Sequence, residues 1–154
     1  MVKRSKKSKI VKMIKVMRKT RKGGGLMRVV YPSFNVNNTT TNRNSTSHVP
    51  TVSLQNLNLS TFLMYDPDAV VPEWLHYLVI NIPNGDISKG EVIISYEGPS
   101  PPPNTGIHRY IFEQLEQLEP LSLTIDKRGG FNRNTFVKTN NLMVRSKKSM
   151  RVPS

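Results

Sequence analysis

The sequence contains no cysteine. That excludes disulfides, thiolate catalysis and cysteine-based zinc sites, and it fits a reducing compartment. There is no run of 18 consecutive apolar residues, so no segment reads as a membrane-spanning helix. The N-terminus lacks the apolar core and small-residue cleavage site of a secretory signal. A cytoplasmic location is the resulting expectation. Acidic residues are missing from both ends. Residues 1–22 hold 11 of the 23 Lys and Arg, and residues 143–154 hold four more, with no acid in either stretch. Between Leu26 and Leu142 there are 8 basic and 10 acidic residues. The net charge of +13 is therefore a property of the ends. A domain that reads nucleic acid carries its positive charge on the folded surface, and this interior is slightly acidic.

What is present divides the chain into three parts. Residues 1–25 form a basic head that closes on the triple glycine Gly23–Gly25, a flexible joint. Ile10, Met13, Ile14 and Met17 fall at i, i+3, i+4, i+7 among lysines and arginines. Three readings of the head stand side by side: a solvated basic tail, a contact for nucleic acid or an acidic membrane, and a transit-type presequence. Residues 26–142 carry the structured pattern, and residues 143–154, "MVRSKKSMRVPS", read as a basic C-terminal tail.

Inside the middle part, strand signals follow one another at short intervals. They are "LMRVVYPSF", "VPTVSLQNL", "NLSTFLMYDPDA", "WLHYLVINIP", "EVIISYEG" and "HRYIFEQLEQL". Phe131 to Leu142 has helical spacing, with Asn132 or Asn134 as caps. No regular alternation with long helices occurs. The expectation is a mainly β antiparallel sandwich with one or two short helices.

Three stretches carry chemistry-bearing side chains. In "YDPDA", Asp66 and Asp68 flank a proline, which reads as an Asx-type turn or as a carboxylate at a pocket mouth. In "EWLHYLV", alternation puts Trp74 and His76 on one strand face and Leu75, Tyr77 and Val79 on the other. In "GPSPPPNTGIHRYIF", His108 and Tyr110 share a face and Arg109 points away. Three consecutive prolines stiffen that loop before folding and lower the entropy of fixing it. One Asp, two His and a Tyr suit a phosphate or carboxylate ligand. The metal alternative is weak, because no H-x-H or H-x-x-x-H pair exists. Ser95 and Ser100 lack a G-x-S-x-G elbow, so no catalytic residue is assigned.

The two motifs "DPDA…W-x-H" and "GPSPPPNTGIHRY-x-F" resemble the signatures of the phosphatidylethanolamine-binding protein family, which includes the Raf kinase inhibitor proteins. The resemblance runs from about Leu26 to Leu142. It implies a β-sandwich with a large and a small sheet, no enzymatic activity, and no cofactor or metal. It implies an anion pocket made by Asp66, Trp74, His76, Pro102, His108 and Tyr110. Gly98, Gly106, Asp68 and Arg109 would support the site, with Asp68 as the acid that Arg109 holds. The implied partners are a phosphate-bearing ligand or phospholipid head group, and a kinase or other signalling protein. Departures are visible. Val70 follows the D-P-D-A run in place of proline, the loop to Trp74 is short, and Asn104 stands where many members have glycine. The family's final strand and C-terminal helix, which close one side of the pocket in animal members, are not recognisable after Leu142, which implies a more open pocket. "RKTRKGGG" resembles leaders on proteins of large DNA viruses, which implies a virus-encoded homologue.

Overall fold

Runs of β-branched and aromatic residues become strands in the computed structural model, which describes residues 26–154. The head at 1–25, with its amphipathic spacing, lies outside the described residues. In chain order the strands are β1 (Arg28–Tyr31), β2 (Phe34–Asn35), β3 (Thr39–Thr40), β4 (Thr51–Ser53), β5 (Leu59–Asp66), β6 (Trp74–Pro83), β7 (Glu91–Ile94), β8 (Ile107–Glu116) and β9 (Met143–Pro153). One α-helix, α1 (Arg133–Thr139), precedes β9, and 3₁₀ turns occupy Asn44–Thr46 and Ile87–Lys89. Asn132 caps α1 by accepting from the Thr135 amide at 2.9 Å.

The strands form a three-stranded sheet, β2-β1-β4, and a six-stranded sheet, β3-β9-β8-β5-β6-β7. The protein is thus a mainly β sandwich with a large and a small sheet. Pairing is antiparallel except where β3 meets β9. Met27, Val29 and Tyr31 from the small sheet's side pack on Phe62, Met64, Tyr110 and Phe112 of the large one. The other face of the large sheet carries Leu63, Tyr65, Leu75, Ile80 and Leu115. It is covered by Phe131, Phe136 and Leu142 and by the 121–125 segment. Each fully buried Phe or Leu here contributes about 1.5–3 kcal/mol by burial. Among the described residues no helix is long and apolar enough to cross a membrane.

The structure corrects the reading of residues 143–154 as a tail. Met143–Pro153 is β9, the longest strand, and it pairs with β8 from Ile107↔Pro153 to Glu116↔Met143. Met150 and Val152 are fully buried opposite Tyr110 and His108. Three of the four basic residues of β9 have local partners. Arg145 binds Glu116, Lys147 approaches Glu113, and Arg151 donates to Asn38. The sequence pattern thus missed a final strand, and no helix follows it among the described residues.

The face assignment on β6 is also corrected. Met64 pairs with Tyr77 and Tyr65 with Leu75, so His76 is the extra residue of a β-bulge. The bulge reverses the alternation. Tyr77 and Val79 join the inner core and Leu75 the outer one. Trp74 and His76 both border one cavity at the end of the sandwich. A second bulge at Asn81, whose φ is 55°, shifts the register again further along β6.

Candidate anion-binding site

The cavity has a volume of about 200 Å³ and lies where the C-terminal end of β5 and the N-terminal ends of β6 and β8 meet. Its floor comes from the inner face of the large sheet: Asp66, His76, His108 and Tyr110. Its walls are apolar: Trp74, Ala69, Val70 and Val71 on one side, Pro101 and Pro102 on the other. Glu97 and Ser100 complete the rim.

Each floor residue is fixed by an identifiable neighbour. Asp66 is 3 % exposed. Its carboxylate accepts from the Asp68 amide at 2.8 Å and lies 2.7 Å from His108 Nδ1. The other His108 nitrogen, Nε2, is 2.8 Å from Thr105 Oγ1. The Thr105 hydroxyl in turn donates to the Pro102 carbonyl at 2.6 Å. Both ring nitrogens of His108 are therefore engaged. Asp66, His108, Thr105 and Pro102 form one chain from β5 through β8 to the proline loop.

His76 is held differently. Its Nδ1 lies 2.7 Å from the Glu97 carbonyl oxygen, an atom that only accepts, so Nδ1 donates. Nε2 has no protein partner among the described residues, and the ring borders the cavity. Burial lowers the pKa of His76 below the usual imidazole range. The Glu97 carbonyl and the Asp66 and Glu97 charges oppose the shift, and Arg128 adds to it. The Tyr110 ring packs edge-on against His76 with centroids 5.1 Å apart. Burial first, then the Asp66 charge, pushes the Tyr110 hydroxyl pKa upward, so it remains an O–H donor.

The supporting residues lie around this floor. Arg109 leaves the site entirely and grips Asp68 from outside, Nε to Oδ2 at 2.8 Å and Nη2 to Oδ1 at 2.7 Å. That contact holds the Asp68 carboxyl below its ordinary range. Gly98 sits where a Cβ would lie 2.8 Å from the Thr46 carbonyl oxygen. Gly106 has φ 82° and open space around it, so backbone freedom is what the position requires. Asn104, in place of the glycine many members carry, also has positive φ, 65°. Asparagine is among the few other residues that tolerate this region.

Several participants carried no signal in the two motifs. Arg128 bridges the bulge. It binds Glu97 at 3.0 Å and donates to the carbonyls of Leu75, His76 and Ser95. A Cβ on Gly129 would come within 3.1 Å of the Trp74 ring, so this segment backs the aromatic wall. Arg43 reaches the Pro101 carbonyl and ties the loop from the other side. Glu97 reaches the rim because its backbone pairs with His76. Neither motif pointed to Arg128, Gly129 or Arg43.

The phosphatidylethanolamine-binding protein model matches residues 20–149 of the chain. The protein belongs to the phosphatidylethanolamine-binding protein family. Solved structures agree at the level of fold. A carboxypeptidase Y inhibitor, solved with its cognate proteinase, aligns with a TM-score of 0.73 at 19 % identity, over 96 % of this chain and 91 % of that one. The phosphatidylethanolamine-binding protein from Plasmodium vivax gives 0.66 at 17 % identity, over 94 % and 95 %. The Plasmodium falciparum protein gives 0.63 at 16 % identity, over 92 % and 96 %. Among the described residues of this family member, no three His, Asp or Glu side chains converge as a metal set.

Proposed function

We propose that this member of the family is a non-enzymatic binding protein whose cavity takes a phosphate-bearing group, and that it modulates a protein partner through the surface around that cavity. The observation that carries this reading is His76 Nε2, a polar atom with no protein partner among the described residues, on a floor it shares with the Tyr110 hydroxyl beside Asp66, inside apolar walls. Asp66 and His108 hold the loop above them and orient the site. An enzymatic reading finds little support, since Ser100 borders the cavity without a histidine in hydrogen-bond reach. The relative bound to its proteinase favours an enzyme as the partner, and a kinase or other signalling enzyme fits that class. The alternative, in which the basic head and tail dock on nucleic acid or an acidic membrane surface and the pocket is degenerate, loses its C-terminal half to β9.

Calorimetry with inorganic phosphate and phosphoethanolamine tests the proposal. The double variant His76→Ala, His108→Ala is expected to lose binding while its circular dichroism stays native-like. Unchanged affinity would remove the cavity from consideration. Deleting residues 1–25 is expected to leave anion binding intact. Loss of all binding on that deletion would favour the head instead.

A further inference from the structure

Ionised phosphates are commonly held by cations or by arrays of N–H donors. Among the described residues no Lys or Arg side chain borders this cavity. The nearby guanidinium groups are engaged elsewhere: Arg43 with Pro101, Arg109 with Asp68, Arg128 with Glu97 and three carbonyls. His108 is closed on both sides by Asp66 and Thr105. Two carboxylates, Asp66 and Glu97, border the same space. A doubly charged oxyanion would meet two carboxylates already paired with His108 and Arg128, no free cation among the described lining residues, and few donors.

His76 resolves this conflict. The Glu97 carbonyl fixes its proton on Nδ1. In the neutral ring Nε2 is then a bare lone pair facing the cavity. The charged and titratable groups around it are Asp66 from β5, His108 and Tyr110 from β8, Glu97 beyond β7, Arg128 ahead of α1, and Tyr77 on β6 itself. Their combined effect with burial keeps the ring neutral near pH 7. An acceptor of this kind recognises a ligand that brings its own proton.

We propose that His76 Nε2 reads a proton on the ligand, so that the site takes a singly protonated phosphate monoester and discriminates against tetrahedral anions without a proton. The P–OH donates to Nε2, on the floor that the Tyr110 ring and the Asp66 carboxylate complete. The inference rests on the anion-binding reading above and narrows it. A phosphodiester, as in an intact phospholipid, has no such proton; a phosphate monoester retains one until its second pKa, about 6 for phosphorylated side chains. A site built around a hydrogen bond rejects analogues that cannot form it far more strongly than size alone allows.

Inorganic phosphate and sulfate are nearly isosteric and differ in this proton. Calorimetric titrations of the full chain at about pH 6.5 are expected to give phosphate at least about a tenfold advantage over sulfate. Glycerophosphoethanolamine, a diester, is expected to group with sulfate. As the pH falls below the ordinary imidazole range, His76 gains a proton and becomes a donor. Sulfate binding then tightens and the ratio falls. In His76→Gln the amide presents either its oxygen or its nitrogen, and the ratio is expected near one at every pH. Equal affinities for wild-type protein at about pH 6.5, or an undiminished ratio in His76→Gln, overturn the proposal. The wild-type pH series decides it even if the variant fails to fold. Absence of binding by both anions from about pH 5 to 8 would instead sink the anion site itself.

Discussion

Two carboxylates are buried on opposite faces of the large sheet, and they have opposite surroundings. Asp66 faces the cavity at 3 % exposure, and Glu113 faces the helix at 1 %. Glu113 is closed in by permanent cations, Arg133 Nε at 2.8 Å and Lys147 Nζ at 3.8 Å. α1 begins at Arg133, whose amide donates to Glu73 at 2.7 Å, so the helix is fastened over that carboxylate. Asp66 instead pairs with a histidine and a backbone amide, beside empty volume. The difference separates fastening from recognition. A buried carboxylate with full-time cations has nothing left to offer a ligand. A carboxylate that orients imidazole next to a void sets up a site whose charge responds to what enters.

That contrast can be broken at either carboxylate. The largest expected effect is at Glu113→Ala, which strands Arg133 in a mostly buried position. Chemical denaturation is expected to show a loss of about 3 kcal/mol, with phosphate affinity of the folded protein unchanged. A parallel loss of affinity would mean that the two faces are not independent. Asp66→Asn keeps the shape and removes the charge. It is expected to cost about 1–2 kcal/mol of stability and to weaken phosphate binding at least about tenfold, because the amide can turn its N–H₂ toward His108. Wild-type affinity in that variant would deny Asp66 its orienting role.

The pH response sharpens the comparison further. The folded pKa of His76 lies below its unfolded value of about 6.5. The unfolded chain therefore binds the extra proton first. Stability is retained above about pH 6.5 and declines as pH falls from there through the folded pKa. Melting of wild type and His76→Gln over that window is expected to diverge, with the variant flatter. Parallel curves would show that His76 does not titrate differently on folding. The smallest effect belongs to the exposed Asp68–Arg109 pair. Arg109→Met is expected to cost under about 1 kcal/mol and to leave anion affinity unaltered.

Much of the fold was readable, for reasons that particular segments show. β5, β6 and β8 carry long apolar or alternating runs, and Asn132 advertised the start of α1. β9 was hidden. Its buried side chains, Ser146, Met150 and Val152, are sparse among Arg145, Lys147, Lys148 and Arg151. Beyond its two-residue contact with β3 it lies at the sheet's edge, where lysines suit a solvent-facing border. The site residues were recognisable by type and order, but their division of labour was not. That His108 spends both nitrogens internally depends on Thr105 folding back to Pro102. That Tyr77 faces inward depends on one unpaired residue in β6. Arg128 and Arg43 act from loops distant in sequence, where spacing carries no information.

The bulge at His76 has a consequence for how this protein can change. Along β6 the bulge works as a phase shift between two segments read in different frames. Tyr77 to Ile80 keep time with the core, and Trp74 to His76 keep time with the cavity. Because the frames are already decoupled, the mouth can accept new side chains without forcing the core to re-register. Deleting His76 would merge the frames, leaving Trp74, Leu75 and Tyr77 in simple alternation and the cavity without its imidazole. A substitution at Trp74 or His76 thus alters the cavity, while a change of length there alters which residues face it.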